Sequence, residues 1–240
     1  MKIKFLCAIT IVFSFVILFS GCSTAINASL EKDFSGTIGL HTAVSNTVTS
    51  LTSSFFGTSE DLGIFDLEQI RSSLEDSGLK VTGLSCPTAN SLAVFAGTED
   101  FSKILPENNN FIKFSQNDAV STMTLLLSPQ NIQKVVSLMP DETAVYTDLL
   151  VAPVFTGEEM TQEDYIELIA IAYGGQAAAE LAASEIKLKF ILPGTITSAS
   201  MSNPEFGKVE SENNSAVITI PLIHILTDLN ENECLINWTE

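Results

Sequence analysis

The chain has 240 residues, 45% of them hydrophobic, with 11 Lys and Arg against 29 Asp and Glu for a formal net charge of −18. So acidic a surface repels phosphate backbones and anionic headgroups, which argues against nucleic acid as a partner. The apolar fraction rules out an acidic disordered tail, and the length suffices for a domain that folds without metal or disulfide.

The first 21 residues run from Lys2 and Lys4 through an apolar stretch, Phe5 to Phe19, to Ser20-Gly21. Charged, apolar and small segments in that order are the layout of a secretory signal. The apolar stretch is too short for a bilayer-crossing helix, which needs about 20 residues. Leu18-Phe19-Ser20-Gly21-Cys22 resembles the lipobox of bacterial prolipoproteins. The resemblance implies that residues 1–21 are a signal peptide and that Cys22 is the lipid attachment site and the new N-terminus. It also implies a protein of the bacterial cell envelope, held to the membrane by acyl chains such as palmitate. The outer membrane is favoured over the inner, because Ser23 and not Asp follows the cysteine. Two or three chains, at about 0.8 kcal/mol per buried methylene, make such attachment effectively permanent. The alternatives are a plain signal with an incidental cysteine, or an uncleaved anchor.

Cleavage removes Lys2 and Lys4 and leaves nine basic against 29 acidic residues, a net charge of −20. Ser23 to Asp33 is polar and without period, so residues 22–33 are expected to be a lipidated tether and residues 34–240 a single domain. Gly36 to Val44 alternates and predicts a half-buried strand. Asp66, with Gln69 three residues later, caps a helix whose stripe is Leu67, Ile70 and Leu74, and Gly78 ends it. Leu79–Leu84 and Ser91–Ala96 read as strands joined by a turn at Cys86-Pro87-Thr88-Ala89-Asn90. Phe111–Phe114 and Met123–Leu127 are further strands.

Ser128-Pro129 opens a second helix. A third is expected over Asp141–Ala152, stopped by Pro153. Thr161 and Asp164 cap a fourth, which Gly174-Gly175 interrupts before residues 176–184 resume. Strands return at Ile186–Leu192, Thr195–Met201, Ala216–Ile220 and Cys234–Trp238. Connecting turns fill Pro204–Asn214, and a short helix falls within Pro221–Leu229. Strands, helix, strands, clustered helices, strands: this order predicts an α+β fold, with a largely antiparallel sheet and about four helices packed on one face.

Little in this pattern points to catalysis. Beyond Cys22, Cys86 and Cys234 are either a disulfide allowed by export or two separate buried thiols. His41 falls on a polar-facing strand position, and His224 sits among Leu222, Ile223 and Ile225. Neither has the company of Cys, His and carboxylates that a zinc site needs, and no cofactor is expected. Asp141, Glu142, Asp148, Glu158, Glu159, Glu163, Asp164 and Glu167 read first as a solvated acidic face, then as a cation or partner site, and last as catalytic carboxylates. Leu149-Leu150-Val151-Ala152-Pro153-Val154-Phe155 is either core or a groove for an acyl chain or partner helix.

Ile191-Leu192-Pro193-Gly194-Thr195-Ile196, a polar hairpin, and Val217-Ile218-Thr219-Ile220-Pro221-Leu222 resemble the C-terminal strands of LppM-type lipoproteins. That resemblance implies an anchored α+β envelope domain that is not an enzyme and interacts with membrane components. The expectation is therefore a lipid-anchored protein that binds a protein partner or an amphiphile. Its alternatives are an anchored carboxylate-based hydrolase and a purely structural lipoprotein.

Overall fold

The structure, a computed structural model, describes residues 23–47, 49–50, 65–76, 78–101, 111–117, 119–136 and 151–239. The lipobox with Cys22, and most of the helix expected over Asp141–Ala152, lie outside these residues. In chain order the strands are β1 (Ser23–Leu30), β2 (Gly36–Ala43), β3 (Lys80–Ser85), β4 (Ser91–Thr98), β5 (Ile112–Asn117), β6 (Val120–Leu127), β7 (Glu185–Ile191), β8 (Thr195–Met201), β9 (Lys208–Glu212), β10 (Ser215–Pro221) and β11 (Asn232–Thr239). The helices are α1 (Leu67–Asp76), α2 (Pro129–Val136), α3 (Pro153–Thr156), α4 (Gln162–Tyr173), α5 (Gly175–Ala183) and α6 (Leu222–Thr227).

The strands make two sheets, β3-β4-β2-β1-β7-β10-β9 and β5-β6-β11-β8. Every neighbouring pair is antiparallel except β1 and β7, which run parallel. Alternation explains the buried faces. Ile186 and Leu188 of β7, Ala216, Ile218 and Ile220 of β10, and Leu92, Val94 and Ala96 of β4 are buried on the large sheet. Met123, Leu125 and Leu127 of β6 and Cys234, Ile236 and Trp238 of β11 are buried on the small one, and all belong to one continuous core.

Residues 23–30, expected as tether, are instead β1, at the centre of the large sheet. Thr24, Ile26, Ala28 and Leu30 alternate with Ala25, Asn27 and Ser29. Only Ile26 and Leu30 among them are large and apolar, so the contrast that marks a strand is weak. Thr24 contributes a buried polar contact, its Oγ1 lying 3.0 Å from Oγ1 of Thr42 directly across on β2.

The described helices number six where about four were expected, and they do not lie together on one sheet face. The segment after β10 crosses to the small sheet through α6, whose Leu222, Ile223, Ile225 and Leu226 are buried. Helix α6 packs on α3, α4 and α5, α2 packs on α3, and α1 packs separately on β3. Capping follows the expected chemistry. Asp66 Oδ1 accepts from Gln69 N–H, Ser128 Oγ from Asn131 N–H and Thr161 Oγ1 from Asp164 N–H. Pro153 opens α3, its fixed φ suiting a first helical position. Lys208–Glu212, taken for turn, is strand β9, which pairs with β10 at the edge of the large sheet.

Candidate functional site

The two inner faces do not close everywhere. Ile26, Ala28 and Leu30 of β1, Ile38 of β2, and Leu188 and Phe190 of β7 form one wall of a cavity. Ile112 and Phe114 of β5 and Met123 and Leu125 of β6 form the other, and Leu79, Phe101, Phe111 and Leu192 close it. Its volume is about 80 Å³ and the lining is apolar throughout. Such a space stays dry, since water there would find none of the two to four polar partners it needs. No side chain in it is a nucleophile, an acid or a base.

Most of the lining clusters towards the Leu30 end of β1, where Phe34 stands in the turn to β2. Phe34 is 39% exposed, and its ring meets the Phe114 ring edge-on at a centroid distance of 6.0 Å. It holds φ at +63°, a left-handed conformation uncommon for a bulky residue. The turn imposes that geometry. Phe34 N–H donates to the Glu31 carbonyl, Phe101 N–H donates to the Phe34 carbonyl, and Asp33 Oδ1 accepts from both the N–H and the hydroxyl of Ser35. Those Ser35 hydrogen bonds hold the Asp33 carboxyl below its ordinary pKa. Trp238 sits nearby: its neighbour on the same face, Ile236, is opposite Met123. A Cβ on Gly194, in the turn after β7, would run into the Thr239 backbone and lie 3.0 Å from the Trp238 ring.

A second opening is polar. Met160, Thr161, Glu163, Asn203, Glu205, Phe206, His224 and Asp228 line an open cleft. The Phe206 carbonyl can only accept, so His224 Nδ1 carries the hydrogen and donates to it at 2.8 Å. Asp228 is occupied by Asn230 and Asn232, which donate to its two oxygens. Among the described residues no group of three or more His, Cys, Asp and Glu stands where a metal ion could be held.

The residues marked from sequence are scattered. His41 is exposed on the outer face of the large sheet, 5.4 Å from the Phe95 ring. Phe95, 48% exposed, covers Gly39 and Gly83 on the strands either side of it, which accounts for an aromatic in that position. Glu158, Glu159, Glu163, Asp164 and Glu167 are exposed, whereas Asp141, Glu142 and Asp148 lie outside the described residues. Of the Leu149–Phe155 run, Ala152, Pro153 and Val154 are core, Val151 is exposed and Phe155 half-buried, while Leu149 and Leu150 lie outside the described residues.

Cys86 and Cys234 are both free. They belong to different parts of the fold, Cys86 just after β3 of the large sheet and Cys234 within β11 of the small one. Burial raises both thiol pKa values, that of Cys234 to about 12 with the Glu233 charge adding to it, so neither is a ready nucleophile. The cavity residues escaped notice because each reads as ordinary core; only Phe34, an aromatic inside the polar turn Asp33-Phe34-Ser35-Gly36, carries a local signal.

No known protein family matches the sequence, and no curated protein does. Among solved structures, the chain is similar to the folded domain of the LppM protein of Mycobacterium tuberculosis, determined by NMR. The TM-score is 0.40 and the identity 9%, with 91% of each chain covered. No described helix is long and apolar enough to cross a membrane.

Proposed function

We propose that this chain is a protein of the bacterial envelope, anchored by lipid on Cys22, that binds an amphiphile by taking its apolar chain between the two sheets and catalyses no reaction. The apolar inter-sheet cavity carries the reading. Its 80 Å³ is several times the roughly 10–15 Å³ that a single water-sized group needs. The space therefore suits the end of an acyl chain, and each methylene buried contributes about 0.8 kcal/mol. A purely structural lipoprotein has no need of such a space. The carboxylate-hydrolase alternative lacks support from the five described acids of its cluster, all of them exposed.

Trp238 is the only tryptophan; it does not line the cavity but stands two residues along β11 from Ile236, which is opposite the lining residue Met123, and that proximity makes it the reporter of occupancy. Acylated protein in unlabelled vesicles, titrated with a brominated fatty acid, should show saturable quenching of Trp238. Ala28→Phe fills the space and should abolish the quenching while leaving the thermal melt in place. Equal quenching in that variant, or none in the wild type, sinks the proposal.

A further inference from the structure

The two ends of the fold differ, and Cys22 is joined to only one of them. Ser23 is already paired on both sides, with Ala43 of β2 and Glu185 of β7. Glu185 in turn pairs with Pro221, after which α6 begins. The Ser23 end is thus the end that helices cover. It also carries the acidic cleft, because Phe206 and Gly207 lead into Lys208, opposite Thr219 near the close of β10. The far end lies about 23 Å away along β1, at roughly 3.3 Å per residue. There Phe34 is exposed beside Phe114, and Ile191, at the end of β7, is exposed as well.

We infer that the cavity takes its acyl chain from a second bilayer facing the anchoring membrane, not from the leaflet that holds Cys22, with Phe34 at the mouth. The inference rests on the anchored, amphiphile-binding reading above. Pairing on both sides from the residue after Cys22 ties the anchor to the helix-covered end of the large sheet and sets the Phe34 end about 23 Å from it, at roughly 3.3 Å per residue. Extraction from the anchoring leaflet would lead a chain past Glu163, Glu205 and Asp228 and through packed helices. Access from the facing side meets Phe34 and Phe114 first, both apolar, and then Ile38 and Phe190 within.

The test is full-length acylated protein in vesicles, with brominated phosphatidylcholine placed either in those vesicles or in a second, protein-free population. Trp238 should be quenched when the bromine is in the facing vesicles and not when it is in the protein's own. Ala28→Phe should remove the signal, and Phe34→Asp, which tolerates positive φ, should slow its appearance. Quenching from the protein's own vesicles as fast as from the facing ones overturns the inference but leaves the amphiphile reading intact. No quenching in either arrangement overturns both. An unchanged rate in Phe34→Asp removes the mouth from Phe34 and overturns the assigned route.

Discussion

At the scale of single residues, buried polar groups are where small changes have large effects. Thr24 and Thr42 face each other in the core, each hydroxyl answering the other. Replacing one by valine leaves the other buried without that partner, at a cost of about 1–3 kcal/mol. Replacing both removes the unpaired group as well. Chemical denaturation should therefore show Thr24→Val or Thr42→Val to be each more harmful than the double variant is per substitution. Strictly additive losses would show that the pair is not coupled. The Trp238 Nε1 is the contrasting case, a buried donor with no hydrogen-bond partner among the described residues. Gly194 is fixed by contact, since any side chain there meets the Thr239 backbone.

Among the elements, β1 decides the most. It joins the two halves of the large sheet, pairing with β2 over its whole length and with β7 from Ser23 to Ser29. A tether can be shortened without consequence; a central strand cannot, because removal strips two neighbours of their ladder hydrogen bonds and opens the core. Deleting residues 23–30 should abolish cooperative unfolding by circular dichroism. A variant that still melts as the full chain does would show that β1 is dispensable. Helix α3 shows how local the choice of a start is: Pro153 opens it, since proline lacks only an N–H that a first turn does not need.

Across the whole molecule, segments far apart in sequence are drawn together, and one carboxylate records this. Glu180 of α5 accepts from Ser45 and Thr47, just past β2, and from Gln176 on its own helix. Desolvation works to raise its pKa, but the Ser45, Thr47 and Gln176 hydrogen bonds together outweigh that and hold it below the ordinary carboxylate value. A group with a depressed folded pKa stabilises the fold above its unfolded pKa, and that stability is lost as pH falls through the folded one. Glu180→Gln should therefore have a lower melting temperature near neutrality and a shallower decline on acidification through the carboxylate range. Parallel curves for wild type and variant would remove Glu180 from the account. The overall charge acts in the opposite sense, because acid relieves self-repulsion in so acidic a chain.

By itself the sequence determined the local events: the caps at Asp66, Ser128 and Thr161, the break at Gly174, and most strands with a one-sided apolar pattern. These are legible because they depend on neighbours within a few residues. Tertiary structure alone decided that β1 is a strand, that the strands divide between two sheets, and that α6 crosses from one to the other. It also decided which apolar residues are core and which line a cavity. Leu125 and Leu127 of β6 have the same residue type and the same face; only Leu125 borders the cavity, because what lies opposite is set by residues distant in the chain. Packing against a partner far off in sequence leaves no trace in local pattern, and the candidate site is made of such contacts.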